Sequence, residues 1–196
     1  LPDDPTRPIV MAGTGTGIIY IMAGPVAPAD ELSSEARATI SGDSINDRVG
    51  TSASGGEDFD GDGIVDLALG AWGDPTRGAE AGSAYVFLGP LTGDMSVSEG
   101  LFEVIGTSAG DAAGLTVALL GDMDGDGLSE VIVGAPNVDG AGGTLLNSGA
   151  AYVFRGGSAG SVLTRDAPTS IVGLASGDYG GQAVAPAGDV NGDGLA

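Results

Sequence analysis

Apolar residues in this chain fall in short runs, and the runs return at a fixed interval. Leu67-Ala68-Leu69-Gly70-Ala71-Trp72 is one, and Val131-Ile132-Val133-Gly134-Ala135-Pro136 is its later counterpart. A second kind of run joins small residues to aromatic ones: GSAYVFLG at 82–89, GAAYVFRG at 149–156 and GIIYIMAG at 17–24. Runs of this length, bounded by Gly, Asp, Pro and Ser clusters, predict strands. Successive strand residues face opposite sides of a sheet, yet Tyr85-Val86-Phe87-Leu88 and Tyr152-Val153-Phe154 are apolar on both. A sheet wetted on one face alternates polar and apolar, so these sheets are expected to be covered on both.

Other positions repeat in step. Aspartates stand at 47, 111 and 178, glycines at 50, 114 and 181, and further glycines at 42, 106 and 173. The interval is roughly 65 residues, as a supersecondary unit that packs on its own copies would give. Each unit reads as four short strands. The first is predicted near 49–54, 113–119 and 180–185, the second at 65–71 and 129–135, the third at 83–88 and 150–155. A weaker fourth lies near 37–41, 101–105 and 168–172. The predicted fold class is all-β, a β-propeller-type repeat of four-stranded antiparallel blades. It comprises about three units, incomplete at both ends. A plain β-sandwich is the alternative, and the regular period argues against it.

Between the first and second strands of each unit lies an acidic loop. The loops read DFDGDGIVD from Asp58, DMDGDGLSE from Asp122 and DVNGDGLA from Asp189. Calcium takes 6–8 oxygen ligands, and alternate positions of a curled loop can turn inward around one ion. Asp58, Asp60, Asp62 and Asp66 offer carboxylates at positions 1, 3, 5 and 9, with the Ile64 carbonyl at position 7. Asp122, Asp124, Asp126, the Leu128 carbonyl and Glu130 take the same roles in the second loop. Asp189, Asn191, Asp193 and the Leu195 carbonyl take them in the third. The Ile64 side chain is expected to point away into the core. An EF-hand also opens D-x-D-x-D-G, but it needs an acid at position 12 and flanking helices. Position 12 here is Leu69 or Val133, inside a strand-like run.

Composition narrows the chemistry further. The 27 acidic residues face six arginines and no lysine, for a net charge of −21. Such a surface repels nucleic-acid phosphate and anionic lipid. No run of about 18 apolar residues suggests membrane insertion. With no cysteine and no histidine, thiolate and imidazole metal sites are excluded, as are the usual serine and cysteine triads. The all-oxygen loops suit a hard ion and not zinc or copper. A carboxylate pair could in principle cleave glycosides, but the regularly spaced acids are already engaged in the loops. The chain is therefore expected not to be an enzyme.

With the acidic loop, Gly134-Ala135-Pro136 and the aromatic strand in place, the sequence resembles the FG-GAP repeat family of the integrin α-subunit propeller. Gly70-Ala71-Trp72 departs from the Gly-Ala-Pro triplet at its last residue. The Phe-Gly pair appears as Val49-Gly50, Ala113-Gly114 and Gly180-Gly181, so blade packing there is expected to differ. The resemblance implies that the loop acids bind Ca2+. It also implies that these residues are part of a longer chain whose remaining blades complete the propeller. The expected division is 1–41 as the end of a preceding partial blade, 42–105 and 106–172 as blades with the first and second calcium loops, and 173–196 as the start of a blade with the third.

The function this implies is adhesion or ligand recognition by a calcium-stabilised extracellular module. Loops 72–82 and 136–149, which vary while the framework repeats, are the candidate contact segments for a protein or glycan ligand. Two alternatives stand beside it. One is a self-associating structural subunit of an extracellular filament, sheath or surface layer. The other is a non-catalytic part of a secreted hydrolase. Millimolar calcium sites fill where calcium is abundant, so the expected location is extracellular or at the cell surface.

Overall fold

The computed structural model describes residues 15–22, 36–140 and 142–196. Gly24, at the end of the 17–24 run, and most of the expected segment 1–41 lie outside these residues. Among the described residues the fold is all-β, apart from 3-10 turns at Val97–Glu99 and Thr164–Asp166.

The first complete unit contains β3 (Ala53–Gly55), β4 (Leu67–Ala71), β5 (Ser83–Phe87) and β7 (Phe102–Ile105), joined antiparallel in that order. The second contains β8 (Thr116–Leu119), β9 (Val131–Ala135), β10 (Ala150–Phe154) and β12 (Thr169–Val172), in the same arrangement. A preceding unit contributes β1 (Ile18–Met22) and β2 (Ala36–Ser41). The registers repeat as well: Leu69 lies opposite Tyr85, and Val133 opposite Tyr152.

Two further strands had no signature in the sequence. β6 (Gly93–Ser96) leaves the first unit and pairs parallel with β2 of the unit before it. β11 (Gly160–Leu163) leaves the second unit and pairs parallel with β7 of the first. Each unit thus lends a strand to the outer edge of its predecessor, which hides the unpaired N–H and C=O groups an edge exposes.

Alternate residues of one strand serve different neighbours, as the pleat requires. Leu67, Leu69, Ala71, Tyr85 and Phe87 pack with Ile19, Ile21 and Ile40 of the preceding unit. Ala68, Ala84 and Val86 turn the other way and pack with Val117, Val131 and Val133 of the following unit. Every residue of β4 and β5 is buried, so both faces of this blade are covered, as expected. Fully burying an aliphatic side chain such as Leu69 or Val133 contributes about 2 kcal/mol.

Glycine sets how closely the units approach. A Cβ at Gly70 would overlap the carbonyl oxygen of Gly114 in the next unit, and one at Gly134 would overlap that of Gly181. Gly50 and Gly114 have φ of 84° and 78°, a left-handed conformation that favours glycine. That kink explains why the first strands begin at Ala53 and Thr116 and not at 49 and 113. The predicted strand at 180–185 does not form; only a bridge from Gly149 to Gly180 is made there. Val49 and Ala113, at the position of the family's phenylalanine, are fully buried.

The recurring aspartates 47, 111 and 178 close the turn before each kink. Asp47 Oδ2 accepts the Ser44 N–H at 2.6 Å, Asp111 Oδ2 accepts the Ser108 N–H at 2.8 Å, and Asp178 Oδ2 accepts the Ala175 N–H at 2.8 Å.

Candidate metal centres

The acidic loops connect β3 to β4 and β8 to β9. They therefore lie at the end of the blade opposite the β4–β5 and β9–β10 connections, which contain segments 72–82 and 136–149.

One hydrogen-bond scheme shapes all three loops. In the first, Asp58 Oδ1 accepts the Gly61 N–H at 2.7 Å and Oδ2 accepts the Gly63 N–H at 2.8 Å. Asp62 Oδ1 accepts the Ile64 N–H at 2.7 Å. In the second, Asp122 holds Gly125 and Gly127 at 2.7 and 2.9 Å, and Asp126 holds Leu128 at 2.9 Å. In the third, Asp189 holds Gly192 and Gly194 at 2.6 and 2.8 Å, and Asp193 holds Leu195 at 2.9 Å. The carboxylate at position 1 thereby curls the chain. Gly61 and Gly63, with φ of 83° and 84°, supply the left-handed turns the curl needs.

The curl gathers acids. Oxygens of Asp58, Asp60 and Asp62 lie within 4.8 Å of one another, and so do those of Asp122, Asp124 and Glu130. Asp66 and Asp126 stand outside these groups. The third loop places Asn191 between its two aspartates, with the amide donating to Asp193 Oδ2 at 2.8 Å. Among the described residues, no backbone hydrogen bond occupies the carbonyls of Ile64, Leu128 or Leu195.

Position 9 is different in character. Asp66 is buried, accepting from the Phe59 N–H at 2.6 Å and the Gly89 N–H at 2.8 Å. Glu130 matches it, with the Met123 N–H at 2.8 Å and the Gly156 N–H at 3.3 Å. Burial pushes both carboxyls above their ordinary values, against the lowering effect of those N–H donors, and the nearby loop charges add to the rise. At Asp58 burial also acts upward, but four backbone N–H groups, Gly63 and Gly61 foremost, leave the carboxyl below the usual range. Asp189 is held low mainly by the Gly194 N–H.

The donor set is hard oxygen throughout, arranged in one curled loop. It fits a calcium-type cation. Position 7 does not behave as the sequence predicted. Ile64 is exposed, whereas Phe59 at position 2 is fully buried. Phe59 stacks on Phe102 at 6.0 Å between ring centroids, and Phe102 meets Phe154 of the next unit edge-on at 5.6 Å.

Sequence reasoning also missed that the loops touch one another's units. The Asp58 carbonyl accepts the Ser129 N–H at 2.9 Å, and the Phe59 carbonyl accepts that of Gly157 at 2.6 Å. The Asp122 carbonyl accepts the Ala196 N–H at 2.9 Å. Main-chain contacts of this kind carry no residue-type signature.

The family model for the FG-GAP repeat matches residues 49–87 and 113–154. Each match runs from the left-handed kink through the acidic loop to the end of the aromatic strand. Integrin alpha-4 of Xenopus laevis is 36% identical over 100 residues, which is 50% of this chain and 9% of that relative's length. The repeated kink, the curled acidic loop and the Gly-Ala turn are thus one recurring unit, and the chain carries FG-GAP repeats.

Proposed function

We propose that the chain is a calcium-stabilised module of an extracellular β-propeller that serves adhesion or ligand recognition. The observation that carries this reading is the coincidence of FG-GAP repeats with acidic loops bonded across the unit boundary. In the first loop Asp58, Asp60, Asp62, the Ile64 carbonyl and Asp66 would hold one ion. Asp122, Asp124, Asp126, the Leu128 carbonyl and Glu130 would hold a second. Asp189, Asn191, Asp193 and the Leu195 carbonyl would supply part of a third. Bound calcium would offset the mutual repulsion of carboxylates, which at an effective dielectric of 20 is about 4 kcal/mol for one pair 4 Å apart. The units follow the boundaries 42–105 and 106–172, with partial units before and after.

Calcium titration of Asp60→Ala by calorimetry tests the assignment. The expected result is loss of one site, with binding at the second loop retained. Unchanged stoichiometry and affinity would remove Asp60 from the ligand set.

Segments 72–82 and 136–149 lie at the end of the blades away from the metal loops, where a protein or glycan ligand would meet them without disturbing the ions. The adhesion reading is supported by the similarity to an integrin α-chain. Its test is capture of the chain on a glycan array and on cell surfaces, with calcium and with chelator. Calcium-dependent binding that is lost when 136–149 is replaced by a Gly-Ser loop is the expected result. Equal background signal in both buffers would reject it.

No helix among the described residues is long and apolar enough to cross a membrane.

A further inference from the structure

The first unit contains a second group of acids that the metal loops do not use. Asp47 and Asp74 both line a cavity of about 270 Å³, together with Asp43, Glu103, Thr76 and Tyr85. Asp47 is 2% exposed and Asp74 is 5% exposed. Each Asp74 oxygen accepts one hydrogen bond, Oδ1 from the Thr76 N–H at 2.7 Å and Oδ2 from the Tyr85 hydroxyl at 2.8 Å, which leaves a second lone pair on each. Asp47 differs. Its Oδ2 accepts the Ser44 N–H, but its Oδ1 is buried without any hydrogen-bond partner.

A buried carboxylate oxygen with no donor is costly, and a second buried carboxylate beside it adds to the cost. Burial pushes the Asp47 carboxyl upward, and the charges of Asp74 and Asp43 push it further, against the Ser44 N–H. No basic residue lines the cavity. Arg48, next in sequence, is directed elsewhere: it lies 3.5 Å from Glu80 and stacks 3.9 Å over the Trp72 ring.

The repeat itself shows that the architecture does not require this arrangement. In the second unit Asp111 closes the same turn, but Val138 stands where the first unit has Asp74. Arg165 joins the acids of the corresponding cavity. There Tyr152 is hydrogen-bonded to Thr164, and Asp111 is not left with a buried unpartnered oxygen. The second unit pairs Asp111 with Asp139 across its cavity, so what sets the first unit apart is the unpartnered oxygen in a cavity that no arginine lines.

We propose that this cavity is a second kind of cation site, taking a hydrated hard divalent ion, Ca2+ or Mg2+, through Asp47 Oδ1 and the Asp74 carboxylate. The polar lining is all carboxylate, hydroxyl and main chain, which is oxygen-donor chemistry suited to hard ions. No three acids converge in the cavity as they do in the metal loops, so the ion keeps several of its waters. The volume allows this, since a water in the liquid occupies about 30 Å³. A water molecule alone would satisfy Asp47 Oδ1 but would leave the two negative charges uncompensated.

The site shares no residue with the acidic loops, so either assignment can fail without the other. The test uses the full chain and Mn2+ as a paramagnetic probe, read by NMR at the Tyr85 ring and at the Gly61 and Gly125 amides. Broadening at Tyr85, competed by Ca2+ or Mg2+, is expected. Asp47→Asn keeps an acceptor for the Ser44 N–H and removes the charge. It is expected to weaken the Tyr85 response by about tenfold or more while leaving the glycine responses in place. Asp74→Asn is the second variant and is expected to act in the same direction. Thermal unfolding in chelator separates a structural role: Asp47→Asn should be no less stable there than the parent. No broadening at Tyr85, an unchanged response in both variants, or equal destabilisation of Asp47→Asn with and without divalent ion would overturn the proposal.

Discussion

Moving the protein from calcium-saturated buffer into chelator is expected to lower its stability by about 5 kcal/mol. An ion present at 100 times its dissociation constant adds about 2.7 kcal/mol per site, and on the proposed assignment the two loops with gathered acids would supply two such sites. For a chain of this size that corresponds to a fall in melting temperature of roughly 10–20 °C. The loss should spread beyond the loops. Asp58 and Phe59 offer their carbonyls to Ser129 and Gly157 of the next unit, so a loop that opens under its own repulsion also releases bonds between units. Limited proteolysis in chelator should then cut first near 58–66 and 122–130. Identical melting curves and cleavage patterns in calcium and chelator would refute the stabilising role of the ion.

Phe59→Ala is expected to cost about 4 kcal/mol, within the range for emptying a large core site. Its side chain is fully buried, and through Phe102 it connects to Phe154 of the following unit. Its backbone bonds, from its N–H to Asp66 and from Gly157 to its carbonyl, do not depend on the ring. The substitution should therefore reduce stability strongly in denaturant titrations while calorimetry still counts the same number of calcium sites. Phe59→Leu should recover much of the loss. A variant that unfolds at the parent's midpoint would show that the ring contributes little to the interface.

These two results probe different parts of what the sequence disclosed. The second and third strands of each unit were legible because their residues are apolar on both faces, and a blade covered on both sides requires that of Leu67–Ala71 and Ser83–Phe87. The acidic loops were legible from the spacing of their aspartates, and three copies now share one hydrogen-bond scheme. The lent strands were not legible. Gly93–Ser96 reads GDMS and Gly160–Leu163 reads GSVL; neither alternates, because each pairs along one edge and is mostly unburied. The buried residue of the first loop was misplaced, since pattern alone cannot say whether Phe59 or Ile64 turns inward. Asp47 was visible as a recurring marker. Its proximity to Asp74, which comes 27 positions later in the chain, is a product of folding that no local pattern records.

The lending of strands also imposes an order on events during synthesis. The outer edge of one unit, Phe102–Ile105, is sealed by Gly160–Leu163, residues translated 58 positions later. At about 5–20 residues per second, that edge waits about 3 to 12 seconds for its cover. One raw sheet margin therefore travels behind the ribosome as the units emerge, and each new unit closes the previous margin while opening its own. Nascent chains of such a protein are most prone to mispairing at that moving front, and a chaperone that shields a single edge strand at a time would suffice to guard it.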